Sequence, residues 1–175
     1  MTIESYKEKM NRITTIILDV DGVLTDGSVA LIPPDNMVRT MHTKDGFALQ
    51  YAIKKGYRIG IITGGTSEMV RTRLQYLGIE DVFLRSSNKM EVYEKYLEKE
   101  GFKDEEVLYM GDDLPDYHVL ERVGVSTCPK DAVEEIRGIV DYVSPVEGGK
   151  GCVRDIIEQT LKVQGNWFDK NNLEW

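Results

Sequence analysis

The sequence is poor in cysteine, in long apolar runs and in basic charge, and each shortage closes off a class of protein. Its two cysteines, Cys128 and Cys152, leave no basis for a multi-disulfide secreted scaffold and point to a reducing, cytoplasmic compartment. No stretch approaches the ~18 consecutive apolar residues that a spanning helix requires; the apolar run at Ile13–Leu18 is stopped by Asp19. The charged segment Met1–Arg12 lacks the apolar core of a secretory signal. Thirty acidic residues against 22 basic ones give a net charge of −8, which disfavours nucleic acid and anionic membranes as partners. What remains is a folded domain: 41% hydrophobic and 30% charged residues are ordinary globular proportions, and 175 residues fit one domain.

Short β-branched or apolar runs recur along the chain, at Ile13–Leu18, Tyr57–Ile62, Asp81–Leu84, Val107–Met110, Gly124–Ser126 and Ile139–Val143, and read as strands. Between them lie stretches of helical period: Asp45–Lys55, Ser67–Leu77, Lys89–Glu100, Pro115–Val123, Asp131–Arg137 and Cys152–Lys162. Alternation of this kind predicts an α/β fold, a doubly wound and mostly parallel sheet with helices on both faces, whose functional groups gather beyond the carboxyl ends of the strands. Residues 28–40 break the pattern: Val29–Ile32 and Met37-Val38 flank Pro33-Pro34-Asp35-Asn36, which predicts a small β-hairpin flap. The expected division is a domain over residues 1–162 and a tail over 163–175, whose aromatics Trp167, Phe168 and Trp175 are either frayed or docked.

Three polar clusters stand at three predicted strand ends: Asp19-Val-Asp21-Gly22, Thr63-Gly64-Gly65 and Gly111-Asp112-Asp113. In extended chain Asp19 and Asp21 project to the same side, and with Asp112 they crowd carboxylates that a hard cation such as Mg²⁺ would relieve. A lone Asp-x-Asp-Gly is equally a solvated turn; three such clusters are not easily so. An EF-hand does not fit, because Gly22 follows the second Asp directly, and neither a Walker A loop nor a complete G-x-G-x-x-G follows the first strand. A carboxylate beside a cation suits phosphoryl transfer, in which the hydroxyl of Thr63, the backbone N–H of Gly64 and the ammonium of Lys89 would neutralise the phosphoryl oxygens. Lys89 alone would read as a surface lysine; its place at a helix start after Ser86-Ser-Asn88 singles it out.

Asp19-Val-Asp21-Gly-Val-Leu-Thr25, Ile62-Thr63-Gly64, Lys89 and Gly111-Asp112-Asp113-Leu-Pro-Asp116, in that order, resemble the four motifs of the haloacid dehalogenase superfamily of phosphatases. His42-Thr43-Lys44-Asp45-Gly46, Ser87-Asn88-Lys89 and Glu147-Gly-Gly-Lys-Gly151-x-x-Arg154 resemble its branch that acts on keto-sugar acid phosphates. The resemblance implies Asp19 as nucleophile and Asp21 as acid and base. It also implies Mg²⁺ on Asp19, the Asp21 carbonyl and Asp112, supported by Asp113 and Asp116, although Asp116 also suits a plain helix start. Substrate contacts carried over from the branch fall on His42, Thr43, Lys44, Asp45 and Gly46, then Gln50 and Arg73. Gly65 stands where many relatives have arginine, and Arg71, Arg73 or Arg154 would have to supply that cation.

Between Asp19 and Thr63, and between Thr63 and Lys89, the chain has no room for the cap domain with which the superfamily often covers its site. The expectation is therefore a homotetramer in which a neighbour's hairpin and tail shield the site. The competing readings are a phosphatase of a nine-carbon keto-sugar acid phosphate, a phosphoacceptor module, for which Asp21 would be superfluous, and a non-catalytic oligomerisation domain.

Overall fold

The apolar runs become a six-stranded, wholly parallel sheet because each is flanked by helices that cover it on both faces. The computed structural model describes residues 4–34, 36–170, 173 and 174; Asp35 of the expected hairpin turn and Trp175 of the expected aromatic tail lie outside them. The strands are β1 (Thr15–Leu18), β4 (Arg58–Ile62), β5 (Asp81–Phe83), β6 (Val107–Met110), β7 (Val125–Cys128) and β8 (Tyr142–Val143), in the order β5-β4-β1-β6-β7-β8. The chain leaves β1 first towards β4 and β5 and then returns to its other side at β6, so the carboxyl end of β1 is the point where the winding reverses.

Period-2 alternation divides the core in two. Ile16 and Leu18 of β1, Ile59 and Ile61 of β4, and Leu108 and Met110 of β6 face one layer. Ile17, Ile62, Val107 and Tyr109 face the other. The first layer is covered by α1 (Tyr6–Met10), α2 (Thr43–Lys54), α3 (Glu68–Tyr76) and α7 (Cys152–Val163), the second by α4 (Lys89–Glu100), α5 (Tyr117–Arg122) and α6 (Glu134–Arg137). Local chemistry sets the helix limits. Asn88 accepts from the Glu91 N–H at 3.3 Å, which caps α4 and places Lys89 in its first turn. No described helix is long and apolar enough to cross a membrane.

The hairpin forms as read, with β2 (Ala30–Ile32) antiparallel to β3 (Asn36–Val38), and stands apart from the main sheet. The strand expected at Ile139–Val143 shrinks to Tyr142-Val143, and the short α1, capped by Ser5 and Glu8, was not foreseen. The described part of the tail is docked on its own chain. The Trp167 ring lies 5.2 Å from that of Tyr51, and Gln164 Nε2 donates to the Met10 and Ile13 carbonyls at 2.7 and 2.8 Å.

Ile17, wholly buried in the central strand, should be the costly position and Met37, 52% exposed on the hairpin, the cheap one. Ile17→Ala is expected to cost about 2–5 kcal/mol and Met37→Ala less than about 0.5 kcal/mol, as read from urea unfolding midpoints.

Candidate active site

The turn after β1 turns back over the sheet end at Val20–Leu24, with Gly22 at φ +87°. A Cβ on Gly22 would stand 1.9 Å from Asp112 Oδ2, so glycine is required there both for the left-handed backbone and for the approach of the β6 carboxylate. A second segment closes the turn from outside. Gly149 donates its N–H to the Val23 carbonyl at 2.9 Å, the Cys152 thiol donates to the same carbonyl at 3.3 Å, and a Cβ on Gly148 would sit 1.9 Å from the Gly22 oxygen.

Inside this frame Lys89 Nζ lies 2.9 Å from Asp19 Oδ2 and 2.7 Å from Asp116 Oδ1. Asp19 Oδ1 accepts its neighbour Val20 N–H at 2.7 Å, which fixes the carboxylate plane. Asp116 is wholly buried and fully used: the Tyr109 hydroxyl donates to Oδ1 at 2.6 Å and the Asp112 N–H to Oδ2 at 3.2 Å. Asp112 Oδ1, by contrast, is buried with no hydrogen-bond partner. One ammonium thus serves a group whose oxygens, one each from Asp19, Asp112 and Asp116, lie within 4.8 Å of one another. Burial pushes Asp112 up to about 7, with the charges of Asp19 and Asp116 adding to it. Burial likewise pushes Asp19 up to about 6, aided by Asp116 and opposed by Lys89. For Lys89 burial works against the charged form, but the two carboxylates outweigh it and raise the ammonium above its ordinary value. All-oxygen donors, a residual negative charge and an orphaned carboxylate oxygen fit a hard divalent cation.

Thr63, at the end of β4, is buried; its N–H donates to Phe83 and its carbonyl accepts from Ser86, each at 3.0 Å. Its hydroxyl accepts from the Gly65 N–H at 3.1 Å, and Gly64 is exposed at the tip of that loop. Asp21 faces outward and is held by a residue the sequence reading missed: Arg39 donates from Nε to Oδ1 at 2.6 Å and from Nη2 to Oδ2 at 3.0 Å.

The remaining expected residues divide. Thr43 and Arg73, with Arg39, Met37, Met41 and Ser67, line a cleft of about 360 Å³ between the hairpin and α3. His42, Asp45 and Gly46 line with Arg73 a narrow gap beneath it. Asp45 is buried and accepts the Arg154 N–H at 2.7 Å, so it caps α7, whose own N-cap residue is Gly151 without a side-chain bond. Burial pushes Asp45 up to about 6 against that bond. Lys44 is exposed and Gln50 half-buried on α2. Asp113 is exposed and accepts its neighbour Leu114 N–H. The guanidinium of Arg154 lies 5.8 Å from the Phe47 ring and 5.3 Å from the Trp167 ring, with Glu158 3.4 Å away. That of Arg71 is held by Glu68 and the Val82 carbonyl. Tyr109 was also missed, since in a strand it reads only as core.

The chain is similar to known hydrolases. A family model of haloacid dehalogenase-like hydrolases matches residues 41–129. The 3-deoxy-D-manno-octulosonate 8-phosphate phosphatase KdsC of Escherichia coli is 36% identical over 157 residues, 90% of this chain and 84% of that protein. A probable phosphatase structure from Pseudomonas syringae superposes with a TM-score of 0.91 at 33% identity, over 93% of this chain and 92% of that one. A Moraxella catarrhalis structure, of a 3-deoxy-D-manno-octulosonate 8-phosphate phosphatase in complex with magnesium, phosphate and KDO, gives 0.90 at 31% identity, over 93% of each chain.

Folded Asp19, Asp45 and Asp112 keep their protons to higher pH than the unfolded chain does. Between about pH 4 and 7 the folded state therefore binds more protons, and its stability falls as pH rises. The metal-free protein should melt at lower temperature at pH 7.5 than at pH 5, and MgCl₂ should raise the melting temperature more at pH 7.5. Scanning fluorimetry at both values checks this; an equal gain at the two would contradict it.

Proposed function

The chain belongs to the haloacid dehalogenase-like hydrolase family, and from that premise we propose that it hydrolyses 3-deoxy-D-manno-octulosonate 8-phosphate to the free keto-sugar acid and phosphate. The observation that carries the reading is the Asp19, Lys89 and Asp116 array with the free Asp112 oxygen beside it. That array can neutralise a phosphoryl group and present a carboxylate to it, and the relatives are named for this ester.

In the proposed reaction an Asp19 oxygen attacks phosphorus, and the P–O bond to the sugar breaks. Asp21 delivers a proton to the departing oxygen, leaving an aspartyl-phosphate on Asp19; it then takes a proton from the water that hydrolyses that intermediate. Thr63, the Gly64 N–H and Lys89 hold the phosphoryl oxygens. Asp19, Asp112 and the Asp21 carbonyl would hold magnesium, with Asp116 fixing Asp112 and Lys89. When bound, magnesium supplies the divalent charge that lets an anionic nucleophile meet an anionic ester. In this reading residues 1–162 act as one hydrolase domain in the cytoplasm, and Gln164 and Trp167 of the tail lie against it. Selection of the sugar acid falls to the cleft between the hairpin and α3, because the phosphoryl contacts are common to every phosphate ester.

Excess EDTA should abolish turnover. Asp19→Asn, its fold checked by circular dichroism, should lose at least about 1,000-fold in kcat, since a neutral amide is a far weaker nucleophile than the carboxylate it replaces. Phosphate release should also be faster from the eight-carbon acid phosphate than from its nine-carbon analogue or hexose phosphates. Retention of full activity by the metal-stripped enzyme or by Asp19→Asn would remove the mechanism.

We further propose a homotetramer that covers the open site. Leu31, Ile32 and Met37 of the hairpin are 77%, 48% and 52% exposed, an apolar set that a lone chain would leave in water. Light scattering should give a mass near four chains, and Leu31→Asp should lower both the mass and the activity. A fully active monomer would contradict this.

A further inference from the structure

Arg39 follows the return strand of the hairpin, yet its side chain is only 10% exposed. Its Nη1 reaches the Met37 carbonyl at 3.3 Å, while Nε and Nη2 engage both Asp21 oxygens. The same residue lines the 360 Å³ cleft and a second space of about 300 Å³ bordered by Thr66, Ser67 and Met69. The guanidinium therefore stands between the acid and base of the proposed reaction and the space in which a sugar would lie. Opposite it the chain has Gly65, whose missing Cβ would sit 3.6 Å from Asp21 Oδ2 and 3.9 Å from Arg39 Nη2, so no side chain at position 65 competes for that guanidinium.

We propose that Arg39 is a specificity-determining residue that rests on Asp21 in the free enzyme and passes to the carboxylate of an acid substrate, uncovering Asp21 for the leaving sugar oxygen. The inference rests on the keto-sugar acid reading above. A guanidinium pairs with a carboxylate through two parallel donors, a fit that hydroxyl groups do not reproduce. An acid substrate offers Arg39 the same partner that it surrenders, so the exchange is nearly balanced. A neutral sugar phosphate offers none, and Arg39 stays over Asp21, where it occupies both oxygens that the leaving group must reach. Recognition of the carboxylate is thereby expressed in turnover as well as in binding. The hairpin is well placed for such a motion, since it pairs only with itself and not with the main sheet.

The test compares 3-deoxy-D-manno-octulosonate 8-phosphate with its neutral C1 carboxamide on wild type, Arg39→Ala and Arg39→Lys, in kcat and KM separately. Wild type should favour the acid by about 10- to 100-fold in kcat/KM, because with the amide Asp21 is uncovered only by parting a charged pair that no substrate carboxylate replaces. Arg39→Ala should bring that ratio to within about threefold, losing efficiency on the acid and gaining kcat on the amide. Arg39→Lys keeps charge and packing but not the fork, so its ratio should fall between the two; it carries the test alone if the alanine variant does not fold. A wild-type ratio retained in the variants, or an equal fall on both substrates, would overturn the role of Arg39 and leave the phosphatase reading standing. A wild type that does not discriminate within the pair would overturn the keto-sugar acid reading and this inference together.

Discussion

The Lys89 ammonium, set between Asp19 and Asp116, is the contact on which the site depends. Burying one carboxylate is costly, and burying two beside each other more so, unless a cation is delivered at hydrogen-bonding distance. The fold delivers it by capping α4 with Asn88, so that the first residue of the helix points back across the sheet end. Asp116 then cannot be spared, since it also holds Tyr109 and the backbone of Asp112. The ammonium, a strand hydroxyl and a backbone N–H thus meet on one carboxylate that is wholly buried.

Much of this was legible in the chain because buried parallel strands write themselves as apolar runs and their ends write themselves as polar clusters. Asp19, Thr63 and Asp112 stand at those ends and Lys89 at the start of α4, and the fold brings Asp19, Lys89 and Asp112 together with Asp116. The hairpin was legible from its prolines, but not the direction in which it folds, and Arg39 was lost for that reason: nothing local says that a cation after β3 reaches a carboxylate 18 positions earlier. Asp45, which the resemblance put among the substrate contacts, is buried, because a helix start without its own capping side chain takes up its carboxylate, and nothing local marks that demand. The guanidinium of Arg154 lies between two rings, one of which, Trp167, arrives from the tail, so its surroundings depend on a packing partner that no periodicity marks.

The two faces of the sheet also divide the labour. The layer of α4 and α5 carries the Lys89 and Asp116 side, whereas α2 and α7 clamp the turn after β1. Asp45 on α2 fixes the start of α7, and the segment before α7 fixes Val23. Both contacts lie outside the carboxylate cluster, on the turn that carries Asp21 and on the helix start behind it.

That clamp has a consequence for how the molecule is made. The Cys152 thiol and the Val23 carbonyl it meets are 129 positions apart in the chain. At about 5–20 residues per second of synthesis, roughly 6–26 s separate the two on the ribosome. Throughout that interval the nascent chain carries its Asp19–Asp21 turn without the strap that locks it, and the strap is drawn tight only as the last helix emerges. A polypeptide cut short before Gly148 would hold every residue of the proposed reaction and still lack the strap that closes the turn after β1.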